Sequence, residues 1–343
     1  MMEKKKLFGL PLSELSEVVR DASLPPYAAK QIAGWLYRRG APSISAMTDL
    51  SLAARGILEK DYETGLNPPV SESSASDGTK KYLFRVSENR FIETAFIPDR
   101  DRATICLSVQ SGCRMGCRFC LTARQGFQGN LTSNEILNQF RSLPEHDSLT
   151  NIVFMGMGEP LDNLEEVLRS LEILTSDWGY GWSPTRITVS TIGITGRIEE
   201  FLGKSKCHLA VSLHSPFDSE RQSLMPAQKA HPVKEVLDTI RTFDFGRQRR
   251  VSFEYIVFRG LNDTPAHVRE LARILNGIRC RINLIRFHSI PGSEFSSPDQ
   301  RGMEAFRDSL NAKGIITTIR ASRGQDINAA CGLLSTLEQN KPK

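Results

Sequence analysis

Apolar positions from residue 103 onward follow a repeated strand–helix pattern. Short alternating or continuous apolar runs predict strands at 103–109, 151–155, 185–190, 208–213, 251–258 and 281–287. Apolar residues at helical spacing predict a helix after each strand, at 132–143, 163–175, 195–203, 233–244, 263–276 and 298–313. This alternation is typical of an α/β fold with a parallel sheet. Because eight units need more chain than remains, we expect an open, TIM-like partial (β/α)6 barrel with a last strand at 315–319.

Local signals support several of these elements. The run from Ile152 to Met155 is apolar without interruption, as expected of a strand that is buried on both faces. Thr132 and Glu135 have the spacing of a capping box ahead of one helix. Asn163 stands where its side chain can cap the next helix.

The chain before residue 99 is organised differently. Residues 1–66 predict a small helical N-terminal domain. The stretch 67–78 is polar and rich in turn-forming residues, which predicts a linker, and 80–87 and 90–97 alternate as two strands of a hairpin. We therefore expect three parts: a helical accessory domain at 1–66, a linker and β-hairpin at 67–98, and the α/β core with its C-terminal segment at 99–343.

Composition and charge narrow the class of protein. The 343 residues include 44 Lys and Arg against 39 Asp and Glu, and the net charge of +5 permits a polyanionic partner without demanding one. The sequence contains no apolar run of about 18 residues, the length that a membrane span needs, and its start lacks the apolar core of a secretory signal. We therefore expect a cytoplasmic protein with no membrane partner. The odd count of seven cysteines argues against a disulfide framework.

Three of the cysteines, Cys113, Cys117 and Cys120, stand together just after the first predicted core strand. Their C-x3-C-x2-C spacing supplies three thiolates, which are soft ligands suited to iron–sulfur clusters and zinc. Three thiolates leave one iron of a [4Fe–4S] cubane open to a small molecule, whereas a closed structural zinc site needs four ligands. The spacing favours the cluster over a zinc site completed by His146 or Cys106, and over three unligated cysteines.

Residues at the ends of predicted strands form a second set of candidates. The turn from Gly156 to Pro160 follows the second core strand, where glycines let the backbone approach a ligand and Glu159 can accept hydrogen bonds from an ammonium group. Taken singly, such residues are explained by an ordinary loop or by a satisfied hydroxyl. As a set at the carboxyl ends of parallel strands they indicate a ligand pocket. Its predicted members are Gly158, Glu159, Ser190, Ser212, Leu213, His214 and His288.

Two further cysteines and one carboxylate are candidates for chemistry. Alternation in the first core strand puts Cys106 on its polar face, where a small packing residue is not expected. Cys331 stands in a polar, glycine-flanked segment that is more typical of a functional loop than of a packed helix. Glu93 has Phe91 and Ala95 as neighbours on its strand face, so it is either at a sheet edge or desolvated and a candidate general base.

These residues together resemble the dual-specificity radical S-adenosylmethionine (SAM) RNA methyltransferases, which methylate C2 of adenine in 23S rRNA and in tRNA. The likeness covers nearly the whole chain, including the small N-terminal domain. Its most specific part is the motif that contains Cys331, which ordinary radical SAM enzymes lack. The matching segments are Ser76 to Thr79, Arg102 to Cys106, the cysteine triad, Ala123 to Phe127, Gly156 to Leu161, Ser212 to His214, and Arg323 to Gly332.

The resemblance implies a radical SAM barrel and a route through an S-methylcysteine. Cys331 would take a methyl group from one SAM, and a second SAM on the cluster would yield the adenosyl radical that activates this methyl group, so two SAM are used per turnover. Glu93 would remove the C2 proton of adenine, and Cys106 would attack the sulfur of Cys331 to release the product. The resemblance also implies an electron donor such as flavodoxin or ferredoxin, and a monomer.

Two positions depart from the family pattern. His288 replaces an expected asparagine, which makes its contact with SAM less secure, and Arg124 differs without a consequence that we can assign.

Three further functions stay compatible with the sequence. A relative of this family that methylates C8 of the same rRNA adenine needs the same cluster and cysteine pair. A zinc-bound RNA-binding protein would use the triad without catalysis. A radical SAM enzyme acting on a small molecule or peptide would use the cluster but would not require Cys331.

Direct sequence signals for RNA binding are thin. Three basic residues lie on a predicted N-terminal helix, and three more precede the fifth core strand, but such groups are more often solvated surface. The aromatic residues of the segment 178–182 could stack on a base, although a packed loop is the more common arrangement. The basic candidates are Lys30, Arg38, Arg39, Arg247, Arg249 and Arg250.

Overall fold

A computed structural model describes residues 4–246 and 251–336 of the chain. Its first part is a small helical unit, in agreement with the sequence. Strand β1 (Lys5–Lys6) is followed by helices α1 (Leu12–Asp21) and α2 (Ala28–Ala33), by a π-helical turn at Gly34–Arg39, and by α3 (Leu52–Asp61). Strand β2 (Tyr62–Glu63) returns to pair in parallel with β1. Buried Leu15, Ile32 and Leu36 hold the helices against the rest of the molecule.

The next segment adds three antiparallel strands to the main sheet. They are β3 (Ser71–Ser74), β4 (Lys80–Ser87) and β5 (Arg90–Asp99). The predicted hairpin is confirmed as β4 and β5. The prediction of a linker over 67–78 is wrong at 71–74, where all four residues are exposed and β3 forms the edge of the sheet. An exposed edge strand needs no apolar face, so hydrophobic periodicity could not reveal it. The division of the chain at residues 66 and 98 stays a prediction.

The core alternates strands and helices, as predicted. Its strands are β6 (Arg102–Cys106), the short pair β7 (Gln110–Ser111) and β8 (Gly129–Asn130), then β9 (Asn151–Phe154), β10 (Ile187–Thr191), β11 (His208–Ser212), β12 (Val251–Val257), β13 (Cys280–Arg286) and β14 (Thr317–Ile319). Its helices are α4 (Leu121–Gln125), α5 (Ser133–Arg141), α6 (Leu164–Thr175), α7 (Arg197–Lys204), α8 (Asp218–Leu224), α9 (Val233–Thr242), α10 (Pro265–Ile274) and α11 (Gln300–Ala312).

These strands confirm the α/β, partial-barrel prediction. In the described residues the main sheet has the order β14-β13-β12-β11-β10-β9-β6-β5-β4-β3. From β6 to β14 the neighbours pair in parallel, and from β6 to β3 they pair antiparallel. Neither edge strand closes on the other, so the barrel is open. The carboxyl ends of the parallel strands share one rim, which is where such folds carry their sites.

The ends of the helices show one correct and one incorrect capping prediction. At α5 the Thr132 side chain accepts from the Glu135 N–H, and the Glu135 carboxylate accepts from the Thr132 N–H, so the capping box is confirmed. Asn163 does precede α6, but its side chain makes no cap. Its amide instead donates to the carbonyl oxygens of Val109 and Leu131, because these buried groups need a donor.

None of the helices within residues 4–246 and 251–336 is both long enough and apolar enough to cross a bilayer.

Candidate functional site

The cysteine triad lies in a tight loop beyond β6. Gly112 and Gly116 have φ of +72° and +71°, the left-handed region that favours glycine. A methyl group on Gly112 would come within 1.6 Å of a backbone oxygen of Gly126, so this turn accepts no side chain. The turns fold the loop back on itself and bring Cys113, Cys117 and Cys120 to the wall of one cavity.

The electrostatics of the triad fit an iron–sulfur cluster. Burial, with smaller contributions from neighbouring thiols, raises the pKa of Cys113 to about 12 and that of Cys117 well above its usual value. Such pKa values favour neutral thiols at Cys113 and Cys117 when no metal is bound, and cationic iron would stabilise them as thiolates. In the part of the chain that the structure describes, no three His, Cys, Asp or Glu side chains converge tightly enough to hold one metal ion. A cubane does not need that convergence, because each thiolate binds its own iron.

The fourth ligands that a zinc site would need are not offered by this loop. His146 packs edge-on against the Phe140 ring, and Nδ1 of His146 lies 3.0 Å from the Phe140 carbonyl oxygen. It is not part of the cavity wall among the described residues. Cys106 does line the cavity, but its charge interacts with Cys331 rather than with the triad. The donor set thus fits the cluster better than closed zinc coordination.

The cavity beside the triad encloses about 410 Å³ at the carboxyl ends of the parallel strands. It brings together most of the residues predicted for a ligand pocket. Leu213 and Glu93 are the two predicted site residues that do not line it in the described part of the chain. The predicted residues on its wall are Cys106, Cys113, Cys117, Cys120, Gly158, Glu159, Ser190, Ser212, His214, His288 and Cys331.

The glycine-rich turn fits tightly against the cluster side of the cavity. Gly158 has φ +97°, and a methyl group there would lie 2.5 Å from Cβ of Gln110. The Glu159 carboxylate is buried, and it accepts hydrogen bonds from the Leu161 N–H at 3.0 Å and the Ile192 N–H at 2.9 Å. Burial raises its pKa to about 7 despite these bonds. Glu159 therefore holds the ends of β9 and β10 together, and it can accept a further hydrogen bond from a cationic ligand group.

His214 joins the triad loop to the neighbouring strand. Its ring packs edge-on against Phe119 with 4.8 Å between the ring centroids. Nδ1 accepts the Ile256 N–H at 3.0 Å, which leaves the proton of the neutral ring on Nε2. Burial, together with the nearby charge of Arg221, lowers the pKa of His214 to about 3, so the ring is neutral at physiological pH. A neutral imidazole on this wall can donate one hydrogen bond to a ligand.

Two of the three residues predicted for the pocket at the end of β11 line the cavity. Ser212 and His214 line the cavity, while Leu213 is fully buried in the main core. Leu213 acts through its backbone: its N–H donates to the Glu254 carbonyl oxygen, and its own carbonyl oxygen accepts from Arg221. The prediction that the Leu213 side chain lines the pocket is therefore wrong. The side chain lies behind the cavity wall, because successive side chains of a strand face opposite ways.

Arg221 on α8 supports the cavity wall from behind, and sequence reasoning missed it. It is almost fully buried, and its guanidinium donates to the carbonyl oxygens of Ile192, Ser212 and Leu213. Burial lowers its pKa to about 10, so it stays charged at neutral pH. It ties the ends of β10 and β11 together. The only signal in the sequence is its position eight residues after Leu213, which is too weak to identify it.

The two remote cysteines come together on the other side of the cavity. Cys106 ends β6 and is buried, while Cys331 is exposed as a residue although its sulfur lies against the cavity wall. Burial, together with the nearby Cys331, raises the pKa of Cys106 to about 12. The pKa of Cys331 is raised by burial of its sulfur and lowered by Arg320. Arg320 lies beside both thiols and pairs with Glu254 at 3.4 Å.

Glu93 lies behind this group. Strand β5 has β4 on one side and β6 on the other, so the sheet-edge explanation for Glu93 is wrong. The carboxylate is buried, with Oε1 3.0 Å from Lys81 Nζ and Oε2 accepting the Ser335 N–H at 2.9 Å. The segment after Cys331 therefore covers Glu93 in this conformation.

The candidate RNA-binding residues give a mixed outcome. Lys30 is exposed, Arg38 donates to the carbonyl oxygen of Gly179, and Arg39 pairs with Asp49 at 3.1 Å. The aromatic residues of 178–182 pack against the core, which favours the packed-loop explanation. Three candidates, Arg247, Arg249 and Arg250, lie outside the described residues.

Comparisons with known proteins agree with this geometry. Residues 107–274 match the model of the radical SAM superfamily, and residues 5–63 match that of the ribosomal RNA large subunit methyltransferase N-terminal domain. The probable dual-specificity RNA methyltransferase RlmN of Parabacteroides distasonis is 57% identical over 336 residues, 98% of each chain. The dual-specificity RNA methyltransferase RlmN of Syntrophus aciditrophicus is 44% identical over 339 residues, 97% of each chain.

A solved structure extends the likeness to three dimensions. The crystal structure of a radical SAM methyltransferase from Sphaerobacter thermophilus has a TM-score of 0.89 and 39% identity, covering 96% of this chain and 99% of that one. Superfamily membership implies a [4Fe–4S] cluster and SAM, for which the triad and its cavity are suited. Since full-length relatives of high identity share one description, the chain belongs to the RlmN family of dual-specificity radical SAM RNA methyltransferases.

Proposed function

We propose that this enzyme methylates C2 of one adenine in 23S rRNA and of an adenine in tRNA through an S-methylcysteine at Cys331. The observation that carries the proposal is that Cys331, Cys106 and the cysteine triad line one cavity. A methyl carrier, a resolving thiol and a cluster site are the three parts that this route requires. A radical SAM enzyme acting on a small molecule or peptide would have no use for the first two.

Bound at the triad, the cluster and SAM would supply a methyl cation equivalent in one event and, with one electron, the 5′-deoxyadenosyl radical in another, so two SAM serve one turnover. Gly158, Glu159, Ser190, Ser212, His214 and His288 would hold SAM. Glu159 offers a carboxylate for an ammonium group, and His214 offers a neutral donor. The backbone of Leu213 keeps the last two strand ends in place.

The residues of the chain would then carry the one-carbon group. Cys331, as a thiolate, takes the methyl group, and after loss of one hydrogen atom its carbon bonds to C2 of adenine. The adduct gives up one electron, which the cluster that had supplied an electron to SAM would take back, and it gives up the C2 proton to Glu93. Cys106 attacks the sulfur of Cys331, so the carbon–sulfur bond breaks, the carbon is protonated to a methyl group, and a Cys106–Cys331 disulfide remains. A thiol reductant must restore both cysteines before the next turnover.

Glu93 can act only after the protein rearranges. Its carboxylate is bound by Lys81 and by the backbone N–H of Ser335. The segment that includes Ser335 must move before a C2–H group can approach. Entry of a splayed adenine would provide the reason for that movement.

The proposed reaction also has implications for where the enzyme works and for its partners. A cytoplasmic location suits both the RNA substrates and the free thiols of the described chain. We propose a monomer that takes electrons from a small protein donor such as flavodoxin or ferredoxin.

Product analysis tests the proposal. Protein purified without oxygen and reconstituted with iron and sulfide is incubated with isotope-labelled SAM and either 23S rRNA or tRNA, and the nucleosides are analysed by mass spectrometry. We expect 2-methyladenosine from both RNAs and none with Cys331→Ala. The appearance of 8-methyladenosine alone would assign the C8 reaction instead, and colourless protein holding stoichiometric zinc would reject radical chemistry.

A further inference from the structure

The turn between β3 and β4 binds the loop that carries Cys331. Oδ2 of Asp77 accepts the Gly324 N–H at 2.9 Å, and Oδ1 accepts the Thr79 N–H of its own turn at 3.0 Å. In return, the Ser76 N–H donates to Oδ2 of Asp326 at 2.9 Å. Two segments about 250 residues apart therefore hold each other by reciprocal bonds between a carboxylate and a backbone N–H.

Packing at this contact leaves no spare room. Gly324 has φ +62°, and a methyl group on it would lie 2.7 Å from Cγ2 of Thr79 and 2.8 Å from Cβ of Ala329. An ion pair of 2.9 Å between Arg323 and Asp99 adds a second attachment to β5. The loop is thus fitted to the hairpin as well as hydrogen-bonded to it.

The contact determines where Cys331 lies. Ala329, two residues before Cys331, packs with Cys106 and Ala95 in a small buried cluster. At the other end of the loop, the carbonyl oxygen of Gly332 accepts the N–H of Leu121, the residue next to Cys120. Cys331 is therefore held between its predicted resolving thiol and the cluster loop.

We propose that Asp77 is a positioning residue for Cys331: by binding Gly324 it keeps loop 324–332 where the Cys331 sulfur can reach both Cys106 and a group bound at the cysteine triad. The inference rests on the proposed function, because it takes Cys331 as the carrier of the methyl group. In the described chain Asp77 is not part of the cavity wall, so it acts on the loop and not on a ligand.

The charge of Asp77 suits this task. Partial burial raises its pKa, but the hydrogen bonds from Gly324 and Thr79 lower it by more, so the net shift is downward. The carboxylate is ionised at neutral pH, and both of its oxygens are available as acceptors. An asparagine has only one acceptor oxygen and can replace one of the two bonds.

The test measures how near Cys331 lies to Cys106. Full-length protein with its cluster reconstituted is equilibrated without oxygen in glutathione buffers, and the Cys106–Cys331 disulfide is quantified by mass spectrometry. As the disulfide forms, one oxidised glutathione becomes two reduced ones, so the equilibrium constant reports the effective concentration of the two thiols. We expect Asp77→Ala to lower the effective concentration of the two thiols about tenfold, because two hydrogen bonds are lost. Asp77→Asn should lower this effective concentration by less.

The matched control is Glu88→Gln, at the exposed far turn of the same hairpin, which should match the wild type. Equal effective concentrations in wild type and a folded Asp77→Ala protein would overturn the inference while leaving the proposed function intact. If Asp77→Ala fails to fold, Asp77→Asn is measured in its place, and an effective concentration equal to that of the wild type overturns the inference. A wild-type protein that forms no such disulfide at any potential would overturn the proposed resolving step, and the inference with it.

Discussion

Ser335 donates its backbone N–H to Oε2 of Glu93 at 2.9 Å, which ties the segment after Cys331 to the proposed base. The same segment is attached to α4 as well, since Thr122 donates to the Leu334 carbonyl oxygen at 2.6 Å. An adenine that reaches Glu93 must displace the Ser335 N–H from the carboxylate. Methylation of Cys331 by SAM takes place without adenine, so it should not require that displacement.

Glu93→Gln should therefore separate the two half-reactions. Glutamine can still accept the Ser335 N–H but cannot take a proton, so 2-methyladenosine formation should fall about 10²- to 10⁴-fold. S-methylation of Cys331 should persist, as measured by mass spectrometry of the Cys331 peptide. Glu88→Gln is the control for charge loss on the same hairpin. Normal product formation by Glu93→Gln would remove Glu93 from the mechanism.

The sequence predicts those parts of this site that depend on neighbouring residues in one strand. Alternation predicts that Ser212 and Leu213 face opposite ways, and the structure agrees. His214 lies beyond the end of β11 and has φ +55°, so its place on the wall depends on the turn and not on alternation. Glu93 is ambiguous in the sequence because parity does not tell how many neighbours a strand has. Pairing of β5 on both sides settles that point.

Cys106→Ala should leave the covalent RNA–protein adduct without a thiol to resolve it. We expect a band of reduced mobility that contains both RNA and protein, stable in denaturant, on a gel after a single turnover. Cys280→Ala is the matched control, since Cys280 is a half-buried cysteine that does not line the cavity in the described chain. A double variant that combines Cys106→Ala with Cys331→Ala should show no such band. Free product in normal yield from Cys106→Ala would rule out its resolving role.

Contacts between distant segments explain what the sequence could not predict. Gly324 is 247 residues from Asp77, and no local pattern links them. Arg221 lies in a helix of ordinary polar composition, and it is buried only because three carbonyl oxygens at the ends of β10 and β11 surround it. Tertiary hydrogen bonds of this kind carry no periodicity along the chain.

Arg320→Gln should slow the loading of Cys331. Burial raises the pKa of this thiol, and the Arg320 guanidinium lowers it, so loss of the arginine moves the pKa further above neutral. Because the thiolate is the nucleophile, its fraction falls about tenfold for each unit of increase. The rate of S-methylation at about pH 7.5 should fall, and raising the pH should restore it. Arg301→Gln, at an exposed position of α11, is the control.

Arg320→Lys refines the same prediction. It keeps the positive charge but loses the planar guanidinium that pairs with Glu254, so its rate should lie between those of wild type and Arg320→Gln. A rate for Arg320→Gln that stays low at every pH would instead indicate a misplaced loop and contradict an electrostatic role.

Stability should depend on pH through the Glu145 carboxylate, which binds the hairpin to the core. It accepts the buried Tyr82 hydroxyl at 2.8 Å and pairs with Lys80 at 2.8 Å. Burial raises the pKa of Glu145, but these two partners lower it by more, so the net shift is downward. A carboxyl group with a lowered folded-state pKa adds stability above its unfolded pKa of about 4.3, and that contribution is lost as the pH falls through the folded value.

Glu145→Gln should accordingly destabilise the protein at pH 7 by about 1 kcal/mol. The wild-type carboxyl becomes neutral only as the pH falls through this lowered folded-state pKa, so the stability difference between the two proteins should shrink as the solution is acidified. Urea unfolding followed by circular dichroism at pH 7, 5 and 3.5 measures the difference. The control is Asp147→Asn, an exposed neighbour that should change stability by less than about 0.5 kcal/mol. A Glu145→Gln deficit that stays constant from pH 7 to pH 3.5 would show that side-chain shape, not charge, holds the hairpin in place.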